Sequence, residues 1–138
     1  MGISTSATAQ TAIERVRDIL ARYPDIELGI VFGSHASGEA SPASDMDVAV
    51  RFTRPLSADD NLALTGDLAS ATGRAVDLID LRQAGEPLIG EIIRGGRRVV
   101  GSSEAFAGLL SHHLIEEADF LPIRDRILRE RRESWIGE

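Results

Sequence analysis

A chain of 138 residues, 43% of them hydrophobic, with a formal net charge of −7, has the material for one core and suits one domain with a short appendage. Its charge comes from 15 arginines, no lysine and 22 acids, a balance that argues against generic nucleic-acid binding, which needs a clustered basic surface. Cysteine is absent, which excludes a disulfide framework and a cysteine-based zinc site, and no apolar run reaches the length of a membrane span.

The polar opening MGISTSATAQ lacks the basic and apolar regions of a signal peptide, so a soluble cytoplasmic protein is expected. In QTAIERVRDILARY, residues Ile13, Val16 and Leu20 fall on one helical face, and Pro24 ends the segment. IELGIVF reads as a strand. DMDVAVRF reads as a second, alternating so that Met46, Val48, Val50 and Phe52 share one face while Asp45, Asp47, Ala49 and Arg51 share the other. The next segment, SADDNLALTGDLASATG, has the marks of a helix: Ser57 to cap it, Asp59 and Asp60 at its positive end, Gly73 to stop it. RAVDLIDL is a third strand, GEPLIGEIIRGG a short helix with Pro87 in its first turn, and RRVV a last short strand. From Ser103 the pattern is helical, with Phe106, Leu109, Leu110, His113 and Leu114 as the inward face, until Pro122 interrupts it.

Helices and strands interleave, yet the strands on either side of Gly33-Ser34 are joined by only about a dozen residues, near the lower limit for a parallel crossover. The expected class is therefore α/β (α+β): a small mixed β-sheet of about four strands, helices packed mainly on one face, and further helices at the C-terminus. Residues 1–121 are expected to form the domain. Residues 122–138, with five arginines from Arg124 to Arg132 and with Trp135, form a helical extension and a candidate partner-docking segment.

The chemistry sits in VFGSHASGEASPASDMDVAV, residues 31–50. Carboxylates at i and i+2 on a strand point to the same side, about 6 to 7 Å apart along the chain. Like charges so close repel unless a cation sits between them. Mg²⁺ suits the place, because it takes carboxylate oxygens and completes its shell with water and phosphate. The Gly33-Ser34 turn supplies the complement, with free N–H groups and a hydroxyl that can accept a phosphate. Carboxylates that hold metal, facing a phosphate cradle, make a phosphoryl- or nucleotidyl-transfer site. Plainer roles suit other polar residues. Asp80 reads as a loop or cap residue, His35 as an exposed loop histidine, and His112-His113 as one core-facing and one solvated ring without ligand partners at metal spacing.

Gly33-Ser34, ten intervening residues and Asp45-Met46-Asp47 form a GSx10DxD pattern, by which the chain resembles the DNA polymerase beta-like nucleotidyltransferase superfamily. Within it, the chain looks like the minimal nucleotidyltransferase (MNT) antitoxins encoded beside HEPN-domain toxins. The likeness continues through VDLIDL, EPLIGEIIRGGRRVV and the C-terminal helices, from Ile13 to Trp135. It implies the nucleotidyltransferase fold, with Gly33 and Ser34 on the nucleotide's phosphates. Asp45 and Asp47 would ligate two Mg²⁺ ions, with Mn²⁺ able to substitute. Asp77 would be the third carboxylate, sharing a metal and helping to take the proton from the attacking hydroxyl. The implied reaction is transfer of AMP from ATP to a tyrosine hydroxyl of a HEPN ribonuclease toxin, which neutralises it. The partner is thus a toxin protein in a hetero-oligomer, with no direct nucleic acid and no membrane. One departure stands out: members often carry a basic residue where this chain has Ser37, leaving His35 as the only group in GSHASG able to become positive.

Two other readings compete. One is an antitoxin that covers its partner without chemistry; three carboxylates converging on one pocket argue against it. The other is a transferase for a small molecule, like the aminoglycoside nucleotidyltransferases; 138 residues leave little room for the acceptor domain it needs.

Overall fold

The alternation in DMDVAVRF becomes β2 (Met46–Phe52), an interior strand of a four-stranded sheet in a computed structural model that describes residues 5–37 and 45–115, the side chains of residues 5–10, 35 and 37 apart. The other elements are α1 (Thr5–Leu20), β1 (Ile26–Phe32), α2 (Ser34–Ser37), α3 (Ala58–Thr72), β3 (Val76–Asp80), α4 (Leu88–Gly95) and β4 (Arg97–Gly101), followed by α5 (103–115). The strand order is β3-β2-β1-β4. β1 runs antiparallel to β2 and to β4, whereas β2 and β3 are parallel, α3 being the crossover between them. The sheet is thus the mixed, four-stranded one expected. The boundary at residue 121, the extension 122–138 with its arginines and Trp135, and the side chain of His35 lie outside the described residues.

Met46, Val48, Val50 and Phe52 pack with Ile13, Val16 and Leu20 of α1 and with Leu64 and Leu68 of α3. The two long helices therefore share one face of the sheet. The other face has its own cover: Leu28, Ile30 and Ala49 pack with Ile89 and Ile92 of α4 and with Leu109 of α5. α5 starts at a cap, Ser102 Oγ accepting from the Ala105 N–H at 3.1 Å. Its inward stripe is narrower than the sequence implies. Leu109 and His113 are buried and Phe106 half-buried, whereas Leu110 and Leu114 are exposed, because α5 meets its neighbours along only the i, i+3, i+7 line. Buried His113 pairs through Nδ1 with Glu86 Oε1, and His112 is exposed. Pro87 stands at the N-cap of α4 rather than in its first turn. No described helix is long and apolar enough to cross a membrane.

α3 begins in a capping box. The Ser57 hydroxyl accepts from the Asp60 N–H at 3.1 Å, and the Asp60 carboxylate accepts from the Ser57 N–H at 3.1 Å. Asp60 also takes a two-pronged contact from Arg54, at 2.6 and 3.2 Å. Arg54 then reaches Asp25 at 3.1 Å and lies over the Phe52 ring. Arg54 and then Ser57 hold the Asp60 carboxyl well below the usual carboxylate range.

Tyr23, the only tyrosine of the chain, leads into β1, and its hydroxyl donates to Asp67 Oδ2 of α3. Burial first, and then this hydrogen bond, push the phenol up to about 12. An acid whose folded-state pKa is raised stabilises the fold fully below its unfolded value, near pH 10, and ceases to do so as pH climbs through the folded value. Ultraviolet titration of tyrosinate should therefore give one transition centred near pH 12, moving to about 10 on unfolding in urea. Tyr23→Phe should remove the transition and flatten the fall of stability over that pH window. A native midpoint near 10 would show that the Tyr23–Asp67 bond does not persist in solution.

Candidate active site

Parallel pairing of β2 with β3 brings two of the expected site residues together, since Asp47 is the register partner of Asp77. Neighbouring strands lie about 4.8 Å apart, so partner side chains on one face are immediate neighbours. Both point to the α4/α5 face, because Ala49 and Ile79, each two residues further along, pack into the cluster on that side. Asp47 is half-buried, while Asp77, on the edge strand β3, is exposed. Asp45 precedes β2 by one residue and is exposed. Its backbone lies outside the ladder, so the sheet does not fix it as it fixes the other two.

On the opposite side of Asp47 the antiparallel ladder sets Phe32, the last residue of β1. The chain then turns at Gly33 with φ +74°, a left-handed conformation that favours glycine. A second constraint acts there. A Cβ at Gly33 would stand 2.3 Å from Asp47 Oδ2, so the turn and the carboxylate can approach each other only because that side chain is missing. Ser34 follows at once, half-buried, and opens α2. The Gly-Ser turn and the DxD strand, ten residues apart in sequence, are therefore in contact in space.

Among the described residues no three carboxylate, imidazole or thiol side chains are gathered closely enough to hold a metal ion. The donor set nevertheless fits a hard divalent cation: only carboxylate oxygens are offered, two on adjacent strands and one just ahead of them. Asp80 is the last residue of β3, in register with Val50, and its side chain caps the turn that follows, Oδ1 accepting from the Arg82 N–H at 3.0 Å. The sequence reading passed over Phe32, whose place beside Asp47 depends on strand register, a property that apolar periodicity within one segment does not contain.

A family model described as polymerase beta, nucleotidyltransferase, matches residues 14–105. A relative, the protein adenylyltransferase MntA of Shewanella oneidensis, is 37% identical over 97 residues, which are 67% of this chain and 64% of the relative; the match thus spans a little under two thirds of that protein. Among solved structures, a chain of a toxin–antitoxin crystallised with AMP-PNP is 25% identical, with a TM-score of 0.74 over 87% of this chain and 98% of that one. A chain of a complex between tri-AMPylated Shewanella oneidensis HEPN toxin and MNT antitoxin is also 25% identical, with a TM-score of 0.65 and the same coverage. With all four strands of its sheet, its Gly-Ser turn and all three aspartates inside the matched span, the chain belongs to the polymerase beta nucleotidyltransferase family.

Proposed function

We propose that this chain is a cytoplasmic antitoxin enzyme that transfers AMP from ATP to a tyrosine hydroxyl of a HEPN ribonuclease toxin and so neutralises it. The observation that carries the reading is the pairing of Asp47 with Asp77 beside a turn whose glycine rests on the Asp47 carboxylate. Binding alone would not call for like charges in register on an open sheet edge, where they repel. The MntA relative, and the complexes with AMP-PNP and with AMPylated toxin, support the choice of nucleotide and acceptor.

In this reading Asp45, Asp47 and Asp77 would hold two Mg²⁺ ions, which would supply Lewis-acid polarisation of the phosphoryl oxygens and of the acceptor hydroxyl. Gly33 and Ser34 hold the nucleotide's phosphates with backbone N–H groups and the Ser34 hydroxyl. Asp77, exposed on the edge strand, meets an acceptor arriving from another protein and takes the proton from its hydroxyl. The acceptor oxygen bonds to the α-phosphorus in line with the bond to pyrophosphate, which breaks.

Three results should follow. With ATP labelled at the α-phosphate, Mg²⁺ and the HEPN partner, label should pass to the partner, and Asp45→Ala with Asp47→Ala should abolish this; transfer by the double variant at the wild-type rate would mean the site lies elsewhere. Mg²⁺ should raise the melting temperature of the wild type, by relieving repulsion among the carboxylates, and leave Asp47→Asn unmoved. Gly33→Ala should fold with a loss of about 1–3 kcal/mol from its left-handed backbone but transfer AMP at least tenfold more slowly, because its methyl group displaces the Asp47 carboxylate. Wild-type turnover in that variant would remove the Gly33–Asp47 contact from the mechanism.

A further inference from the structure

We propose that the acceptor segment of the partner protein binds as an added strand on the open edge of β3, which sets its tyrosine beside Asp77. The assignment rests on the nucleotidyl-transfer reading and says how that site receives its second substrate. β3 closes one side of the sheet, with β2 as its neighbour and no strand beyond it among the described residues. An edge of this kind offers a row of backbone donors and acceptors to another chain.

The ladder shows which groups are on offer. The Met46 N–H donates to the Ala75 carbonyl and the Leu81 N–H to the Val50 carbonyl, while Met46 is in register with Val76 and Val50 with Asp80. In a parallel pair this alternation turns the backbone groups of Asp77 and Ile79 toward β2 and those of Val76, Leu78 and Asp80 outward. The Asp80 carbonyl is taken by the N–H groups of Gln83 and Ala84. The outward groups of Val76 and Leu78 bond to nothing among the described residues. β3 keeps unbroken register with β2 along its five residues, so its edge is a regular template. β4, the other edge, lies two strands from Asp47, and its register with β1 shifts between Gly29 and Ile30.

Geometry then places the acceptor side chain. Because the Asp77 backbone bonds to β2, the residue opposite it on an antiparallel added strand forms a non-hydrogen-bonded pair. The two Cα atoms of such a pair are about 4.5 Å apart, with both side chains on one face. That face carries Asp47 one strand further in, and on it Asp77 is exposed. Val76 and Leu78 point the other way, into the α1/α3 core, so the added strand competes with no side chain for its place. Length selects the hydroxyl. A serine or threonine oxygen opposite Asp77 stands no higher above the sheet than the carboxylate itself. A phenol oxygen stands higher by the depth of its ring, at the level of a phosphate held over the carboxylates.

Amide hydrogen exchange, read residue by residue by NMR, tests the assignment. It compares the full chain alone with the chain bound to the HEPN partner, Mg²⁺ and an ATP analogue whose α,β-bridge is a methylene group. The Asp77 and Ile79 amides should be protected in both states. The Val76 and Leu78 amides should exchange quickly in the free chain and at least about tenfold more slowly in the complex. Leu78→Pro removes an outward N–H at an edge position, where proline is tolerated. It should raise the KM for the partner at least about tenfold and leave affinity for the analogue at the wild-type value. If that variant fails to fold, the exchange measurement decides alone. Val76 and Leu78 amides that stay fast in the complex overturn the edge assignment, as does an unchanged KM in folded Leu78→Pro. Amides that slow in the free chain as its concentration rises would give the edge to a second copy and overturn it too. In each case the nucleotidyl-transfer reading stands if label still passes from ATP to the partner; a wild-type chain that passes none overturns both.

Discussion

The register between β2 and β3 is the constraint on which the site depends. Because side chains alternate with a period of two, a slip of one residue would turn Asp47 or Asp77 toward α1 and α3 and bury a carboxylate among apolar groups. Three inward residues prevent this: Met46, Val48 and Val50 are fully buried on the α1/α3 face, so a slip would also pull them out of that core. The ladder is pinned beyond both ends, by the Met46 N–H on the Ala75 carbonyl at 2.8 Å and the Leu81 N–H on the Val50 carbonyl at 2.9 Å. The apolar core thus holds two like charges at a spacing they would not choose for themselves.

Cover on both faces has a further effect. α4 and α5 lie on the face that carries the carboxylates, and they meet where α4 has Gly90; a Cβ there would stand 3.1 Å from His113 Cε1 and 3.1 Å from Glu86 Oε2. The absence of that side chain lets α5 settle against α4, with the Glu86–His113 pair across the joint. α5 in turn presents Phe106 to Arg98. A side chain on an edge strand is thereby set by packing two elements away.

Much of this was legible in the sequence because local signals agreed with the tertiary result. The alternation in DMDVAVRF named both faces of β2 correctly, and Ser57 and Gly73 marked both ends of α3. The GSx10DxD spacing already implied that Gly33 and Asp47 approach each other, as they do, whereas the pairing of Asp47 with Asp77 lies outside that motif and came from the resemblance alone. What failed was α5, where Leu110 and Leu114 looked inward but are exposed; the width of a buried stripe depends on the neighbour, and a single helix does not record it. The pairing of Asp47 with Phe32 was hidden for a similar reason, and so was the nearness of β4, which joins the sheet beside β1 although some seventy residues of chain separate them.

Tyr23 adds a matter of self-protection. An enzyme that modifies tyrosine hydroxyls would waste ATP, and alter its own surface, if it carried a phenol within reach of its own active site. This chain has one tyrosine. It precedes β1, near the sheet end where Ile26 pairs with Phe52, while Asp47 pairs with Phe32 at the other end, and its hydroxyl hydrogen is already given to Asp67. Under the proposed transfer to a tyrosine hydroxyl, distance and an occupied donor together would make the chain a poor substrate for itself and keep the nucleotide for a hydroxyl brought by another molecule.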